Sequence, residues 1–452
     1  MPATVSHVVK QFQQDWTRQL EPDAIRSACH DIGYQWRQRL LDPVVTIQLF
    51  FVQILHGHTA CTHLRHLAKL TVTASAYCQA RMKLPLRVFQ RVLRGVSDRL
   101  PYKPLDEGRW LGHRAFWADG SSFSMPDTPE LQNYFGQPGG QKPGCGFPVA
   151  PLMTLFPAGT GMVLRVLAAP LRTHDMSQVV ELHPAWHASD VLVCDRGFCS
   201  YVHIALLAQG GVHAVFRVHQ KHLVDFTPAR PHVSPAQGGR KGQQGKPRSR
   251  WLARLGVCDQ LVEWLKPMAC PDWMDDAPFA QLPDGLKVRE VRYRVQRQGF
   301  RVQAITLVTT LVDAALYSVE ALSQLYCARW SIETNDAHLK TTMGLDVLKC
   351  KTVDGVLKEL MVFALIYNLM RLVMGQAAQR QHVAIDRISF IDALRWLAAA
   401  RDNELLITLV VNLPRPYRDE PRVRKRRPKQ YPLMQNTRIE LRKSLVNNVE
   451  TH

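Results

Sequence analysis

Tyr326, Arg329, Glu333 and Lys340 place a phenol, a guanidinium, a carboxylate and an ammonium along one short stretch. In a continuous α-helix, at about 100° per residue, these offsets bring all four within roughly 60° of one another. A carboxylate among cations on one stripe suits a metal ligand beside a phosphate-holding site. Taken alone, the stripe reads more readily as a solvated helical face with incidental pairing. Two further acids shift that balance. Asp119 follows the apolar run His113–Ala118 and opens Asp119-Gly-Ser-Ser; Asp195 follows the β-branched run Asp190–Cys194 and opens Asp195-Arg-Gly-Phe. Both read as strand ends giving way to a turn, and strand ends of open α/β sheets are where ligands gather. Each alone is most often a turn former. Together with Glu333, three carboxylates can hold two divalent cations about 3.5–4 Å apart. Such a pair activates a water or a 3′-hydroxyl and steadies the leaving oxygen in phosphodiester chemistry.

Asp119-Gly-Ser, Asp195-Arg-Gly-Phe and the Tyr-x2-Arg-x3-Glu-x6-Lys pattern of residues 326–340 resemble the DDE transposases of bacterial insertion sequences. Within these the likeness is to the large family defined by that Tyr-Arg-Glu-Lys signature, the insertion sequence four family. The likeness continues through Leu307–Asp313, Lys340-Thr-Thr-Met-Gly-Leu345 and the apolar helix ending Tyr367-Asn-Leu-Met-Arg371, and reaches weakly to Tyr77–Arg81. It implies Asp119, Asp195 and Glu333 as catalytic, metal-binding acids with two Mg²⁺, for which Mn²⁺ can substitute. Tyr326, Arg329 and Lys340 are implied to grip terminal phosphates. The implied partners are double-stranded DNA (terminal inverted repeats and target) and a second copy in a synaptic homodimer. The implied reaction is cut-and-paste transposition, with a hairpin on the transposon end as an optional intermediate. Asn335, Asp336 and His338 depart from the aromatic or apolar residues of many relatives. Asp336 thereby competes with Glu333 one turn away, and the motif spacing favours Glu333.

Composition agrees with a polyanion partner. The chain has 452 residues, a formal charge of +19 and 46% hydrophobic residues, enough for two or three domains around a sizeable core. Arg217–Arg250 holds eight Lys/Arg against one Asp, and Arg415–Lys443 eleven against three Asp/Glu, so two patches carry most of the excess. Concentrated positive charge is the footprint of a nucleic-acid binder; Arg424, Lys425, Arg426 and Arg427 are the expected phosphate contacts of the second patch. The ten cysteines form no CxxC pair, which suits free thiols in a reducing bacterial cytoplasm. The first twenty residues lack a secretory apolar core, and the run 360–367 is far shorter than a membrane span, so it is expected as a core helix.

The expected fold is α/β: a ribonuclease H-like catalytic core interrupted by a β-rich insertion, with a helical N-terminal domain and a basic C-terminal tail. The expected divisions are an end-recognition region at 1–105, the first part of the core at 106–219 and the insertion at 220–313. The helices carrying the Glu follow at 314–378, and a helical region with the basic tail at 379–452. Asp42-Pro43 is expected to cap an amphipathic helix over Val44–Leu55. His58, His63 and His66 are expected to be structural or to contact phosphate, since no carboxylate or Cys accompanies them in sequence. In the core, strands are expected at 113–118, 147–156, 161–168, 190–195 and 213–218, with helices at 175–188 and 200–209. Further strands at 251–258, 287–295 and 300–312 fill the insertion, because Glu333 lies 138 residues beyond Asp195. The run Gly238–Pro247 is not a phosphate loop, since Pro247 stands where Ser/Thr is needed; it is expected as a basic hairpin tip. Trp330 is expected to pack. Two rival readings share these motifs: a catalytically idle DNA-binding repressor, and a nuclease without strand transfer.

Overall fold

The structure is a computed structural model and describes residues 17–68, 70–98, 109–158, 160–173, 175–233, 246–295, 303–399, 408–413 and 434–449. It is a mixed α/β protein in which a helical N-terminal region leads into one large mixed sheet. The N-terminal helices are α1 (Pro22–Asp31), α2 (Pro43–Leu55), α3 (Leu64–Ala68), α4 (Ala74–Lys83) and α5 (Leu86–Asp98). Then come β1 (Ala115–Ser124), α6 (Pro129–Phe135), β2 (Val149–Pro157), β3 (Arg165–Ala168), α7 (Asp175–Val180), β4 (Val191–Cys194), α8 (Tyr201–Gln209) and β5 (His213–Arg217). Next are β6 (Arg250–Gly256), β7 (Asp259–Leu265), α9 (Asp276–Ala280), β8 (Gly285–Val295) and β9 (Gln303–Thr309). The chain closes with α10 (Val319–Ala328), α11 (Trp330–Ala337), a π-helical turn (His338–Thr342), α12 (Val353–Arg380), α13 (Phe390–Ala399) and α14 (Arg438–Val449).

Among the described residues the sheet runs β3-β2-β1-β4-β5-β9-β8-β7-β6. β1 pairs antiparallel with β2 and parallel with β4, and β4 pairs parallel with β5. Beyond β5 each neighbour is antiparallel. The strands between Arg250 and Thr309 therefore extend the same sheet through the β5–β9 pairing, where the sequence reading places them in an insertion beside it. The stretch expected as one strand at 251–258 opens a hairpin whose second strand, β7, the alternation did not reveal.

β4 shows why the central strands lie where they do. Val191, Leu192, Val193 and Cys194 are all fully buried, as a parallel strand covered on both faces requires. Each large apolar side chain so placed contributes about 1.5–3 kcal/mol. α12 is the other pillar. From Lys358 to Met374 every residue is buried, the pattern of a helix surrounded by protein. It packs on α5, α2, α13 and β3. The run 360–367 is thus a core helix, and none of the described helices is long and apolar enough to cross a membrane.

Three local expectations change. β1 does not stop before Asp119 but continues to Ser124, with Asp119 opposite Thr154 of β2. β2 keeps the backbone of Asp119-Gly-Ser-Ser paired, which outweighs its turn-like composition. α2 starts as expected, with Asp42 Oδ1 accepting from Val45 N at 2.7 Å, a cap of about 1 kcal/mol. It is not amphipathic, however: Gln48 and Gln53 are buried with the rest. The Gln53 amide donates to Thr59 O at 3.0 Å and its Oε1 accepts from Tyr77 and Arg81. The helix expected at 175–188 splits into α7 and a 3₁₀ turn at His183–Ala185, with Pro184 inside that turn. His58 does meet a carboxylate after all: Nε2 lies 3.2 Å from Glu359 Oε1 of α12, a buried structural pair.

Candidate active site

β1 and β4 run parallel with Trp117 level with Val193. Continuing that register by two residues puts Asp119 level with Asp195; Asp195 stands just past the end of β4, and Asp119 lies beyond the last β1–β4 pair but is still held by β2. At the opposite end of the two strands Arg114 clamps Asp190, with Nε 2.6 Å from Oδ1 and a second bond to Oδ2, and Val191 N donates to Arg114 O at 2.9 Å. This clamp locks the register on which the acids' alignment depends. Sequence reading missed it; the available signal was an Asp and an Arg at the entrances of two buried strands. Asp195 itself caps a 3₁₀ turn, its Oδ1 accepting from Gly197 N at 2.8 Å. As expected, it sits at a strand end.

The third acid arrives on a broken helix. α10 ends at a turn centred on Arg329, α11 follows, and the π-helical segment His338–Thr342 carries Lys340. Tyr326, Arg329, Glu333 and Lys340 therefore do not share one continuous α-helical face, because both interruptions change the angular step. They are gathered around the sheet by contacts instead. Lys340 Nζ donates to Ser121 Oγ at 2.7 Å, and Ser121 shares a face of β1 with Asp119, two residues earlier. After the π turn the chain returns to β1, where Ser124 N donates to Asp346 O and Leu348 N to Ser124 O. Trp330, expected to pack, is 45% exposed at the helix break.

Arg329 sits among the acids. It is buried, with its Nη2 3.9 Å from Glu333 Oε1 and its guanidinium 5.5 Å from the Tyr326 ring centroid. Burial opposes its charge, but Tyr326, Asp119 and Asp195 outweigh burial and hold its pKa above the usual value. Asp119 answers in kind. Burial lifts its carboxyl pKa, Arg329 pulls it down, and the negative charges of Asp195 and Glu333 lift it further. Three carboxylates and one guanidinium thus lie within electrostatic reach of one another.

They are not gathered equally. Among the described residues no group of three or more His, Cys, Asp or Glu side chains closes into a metal cage. The Glu333 side chain is 63% exposed and leans on Arg329. Asp336 is the acid that reaches inward: Thr154 Oγ1 donates to its Oδ1 at 3.3 Å, and its carboxyl also meets that of Asp119. Burial first, and then Asp119, push its pKa up to about 7. In kind, the residues fit a hard divalent cation, since all the donors are carboxylate oxygens. Burial first, and then the repulsion of Asp195 and Glu333, raise the Asp119 carboxyl pKa, and a divalent charge would relieve both.

The Tyr367–Arg371 motif has a structural explanation. Tyr367 Oη donates to Gly161 O at 3.2 Å, Asn368 bonds Val163 N and O, and Arg371 donates to Thr160 O. These contacts fasten the β2–β3 turn to α12. Gly161 has φ +60°, and a Cβ there would stand 2.9 Å from Arg371 and 3.1 Å from Asn335, so the turn needs glycine. The basic-tail residues Arg424, Lys425, Arg426 and Arg427, and residues 234–245 of the basic hairpin tip, lie outside the described residues.

Residues 110–369 match the transposase DDE domain model, and that span takes in every acid of the site. The chain belongs to the DDE transposase family. It is 24% identical over 387 residues to the transposase InsG for insertion sequence element IS4 of Escherichia coli (strain K12), covering 80% of this chain and 78% of that one. A solved synaptic complex of piggyBac transposase with hairpin DNA shares 10% identity at a TM-score of 0.45, covering 88% of this chain and 80% of that one. As a DDE transposase the chain is an enzyme, and its distant homology to an IS4 transposase accords with the signature at residues 326–340.

Proposed function

We propose that this transposase cuts DNA at the ends of its own insertion sequence and joins the freed 3′ ends to target DNA, with Asp119, Asp195 and Glu333 as its catalytic acids. One observation carries the reading: strand register levels Asp119 with Asp195, and Arg329 ties both to the helix that bears Glu333. In this reading β1–β5 and the helices α10–α12 form a ribonuclease H-like core, and β6–β9 are the insertion that separates its last acid from the rest. The strand order β3-β2-β1-β4-β5, with only β2 reversed in direction among these five, supports that assignment. The helices before β1 would recognise the element's ends, and the enzyme would act as a homodimer.

The three acids would hold Mg²⁺, with Mn²⁺ as a substitute. Bound there, divalent metal would supply charge neutralisation and nucleophile activation for phosphodiester chemistry. The remaining roles fall to the chain. Arg329, buried and fixed against Tyr326, presents a permanent cation to the phosphate being attacked. Lys340 holds the π-helical segment to Ser121 and so sets the distance between the helix and the strand acids. Tyr326 orients Arg329. Catalysis is then largely positioning and preorganised charge.

The test is incubation of the protein with duplex DNA carrying the element's flanking repeats, one strand labelled, in Mg²⁺. Nicking at the repeat boundary followed by joined product supports the full reading. Nicking without joining reduces it to a nuclease, and binding without either to a repressor. A labelled hairpin on the element end would establish that intermediate.

A further inference from the structure

A second basic feature lies beside the acids and is used by none of the steps above. Where β5 ends, the chain from Arg217 to Val224 folds against β8 and β9 to wall a cavity of about 390 Å³. Among the described residues its lining includes Arg196, Arg217, Lys221 and Arg292, together with His219 and His222, and no acidic residue. Arg196 directly follows Asp195, and Arg217 is close enough to the Tyr326 phenol to act on it electrostatically. The cavity therefore neighbours the acid cluster through Arg196 and Arg217.

The walls are held in place before any ligand arrives. Arg292 Nε donates to Thr306 Oγ1 at 3.0 Å and Nη2 to Val224 O at 3.3 Å, with the guanidinium 4.9 Å from the Phe226 ring centroid. Arg196 Nη1 donates to Gln220 Oε1 at 3.1 Å. His222 lies against Trp264, with ring centroids 4.3 Å apart, and its Nε2 is 3.4 Å from Glu290. Glu290, which faces His222, already accepts from Gln260 at 2.8 Å and from Trp264 at 2.9 Å, and Asp225, which acts on Arg292, accepts from Thr227 N at 2.9 Å and Thr227 Oγ1 at 2.7 Å. Four cations thus face one small space with no carboxylate among the described lining residues. Asp225 acts on Arg292 and Glu290 faces His222 from outside the lining, and an anion entering the space itself would relieve the cations' mutual repulsion directly.

We propose that this cavity is a phosphate subsite for one unpaired DNA strand leading to or from the acid cluster, a reading that rests on the proposed DNA chemistry. The volume lies toward the small end of ligand pockets and admits a short piece of a single strand rather than the side of a duplex. Arginine forks at Arg196, Arg217 and Arg292 suit phosphodiester oxygens, and Lys221 adds a mobile charge. A strand separated from its partner near the point of cutting would be drawn away from the acids by these groups.

The experiment compares wild type, an Arg196→Gln/Lys221→Gln double variant, and an Arg254→Gln/Lys287→Gln control of equal charge change on the outer strands. All four side chains belong to exposed residues, so melting temperatures are expected to agree. Binding is measured by fluorescence anisotropy in excess chelator, which prevents cutting, with oligothymidylate as the single strand and a blunt duplex as comparison. The expected result is a loss of single-strand affinity of about five-fold or more in the cavity variant. Its salt slope should also become shallower by roughly 1.4, near 0.7 for each phosphate no longer neutralised. Duplex affinity should change less, and the control should change neither. Equal losses in the cavity and control variants would overturn the subsite, as would equal losses on duplex and single strand. Failure of the wild type to bind either DNA would instead overturn the DNA reading beneath it.

Discussion

The two halves of the acid cluster are built differently. Asp119 and Asp195 project from neighbouring strands whose register is fixed by backbone pairing and by the Arg114–Asp190 clamp. Glu333 rides on a short helix with a turn at one end and a π-helical segment at the other, and its side chain is mostly exposed. Strand pairing leaves no slack, because a slip of one residue turns every side chain to the other face. A helix interrupted twice can shift by small torsional changes, and π turns are frequent at functional sites for that reason. If the three act together as proposed, a fixed pair and an adjustable third acid would let one cluster take up substrates and products of different shape.

The largest expected effect comes from removing charge at any of the three positions. Asp119→Asn, Asp195→Asn and Glu333→Gln should each lower the rate of end cleavage about a hundred-fold or more while leaving DNA affinity and fold in place. Excess chelator should abolish cleavage, and Ca²⁺ should support end binding without cutting, since it prefers looser coordination than Mg²⁺. Near-wild-type cleavage by all three variants, measured on labelled ends in Mg²⁺, would remove the assignment. The difference between the halves is sharpened by changing length while keeping charge. Asp119→Glu should be as damaging as Asp119→Asn, whereas Glu333→Asp should keep a measurable part of the rate. Equal outcomes would mean that the helix is as rigid as the strands.

Arg329 joins the two halves, so its loss should rank next. Arg329→Ala should cut the cleavage rate by about ten- to a hundred-fold with little change in dissociation constant, since it leaves the strand acids unscreened and frees the Glu333 side chain. Matching losses in rate and affinity would make Arg329 an ordinary DNA-binding residue. No loss in either would make its stripe a solvated face.

Much of this arrangement was legible in the sequence, and the failures have physical causes. The strand end at Asp195, the strand-rich middle and the DDE family could be read because β-branched runs and a three-part motif carry local signals. Asp119 inside a strand could not, because Asp-Gly-Ser-Ser has turn composition and only the pairing with β2 overrides it. The break at Arg329 was hidden for a related reason: no Pro or Gly marks it, and the Lys340–Ser121 bond that holds the π-helical segment to the sheet joins residues far apart in sequence. The joining of β6–β9 to the main sheet rests on one pairing, β5 with β9, which no local pattern announces. Asp336 was visible as a rival acid, but only its bond from Thr154 shows that it faces inward.

Asp336 gives a smaller and pH-dependent test. Its carboxyl titrates near 7 in the folded protein, far above the ordinary value of 3.8, because it is buried and faces Asp119. Between these two pH values the folded state binds more protons than the unfolded state, so stability falls as pH rises through the window. Asp336→Asn removes that penalty while keeping the shape. In chelator, its melting temperature should move progressively above that of wild type from pH 4 to pH 7 and hold a constant offset beyond. A difference that does not vary with pH would mean that Asp336 is not held in this way. Cleavage by this variant should fall less than in Glu333→Gln; a greater fall would make Asp336, and not Glu333, the third acid.

The smallest effect on chemistry should come from charge that belongs to neither half. Arg424, Lys425, Arg426 and Arg427 concentrate the C-terminal positive charge. Neutralising them to Gln is cleaner than truncating after Leu413, because truncation also removes α14. That helix is fastened to the body by Arg438, whose Nη1 lies 2.7 Å from Asp127 Oδ2 and whose guanidinium sits 4.0 Å from the Phe147 ring centroid. The substituted protein should bind duplex DNA more weakly whatever its sequence. Its log affinity against log salt should become shallower by up to roughly 0.9 for each phosphate that these side chains neutralise in the wild type. At saturating DNA the cleavage rate should stay within about two-fold of wild type, since a diffuse phosphate contact contributes to binding and not to the transition state. An unchanged salt slope would show that these four residues do not touch DNA. A slope that falls together with the saturated rate would place the tail at the acids, so that the adjustable half of the cluster depends on a third segment of the chain.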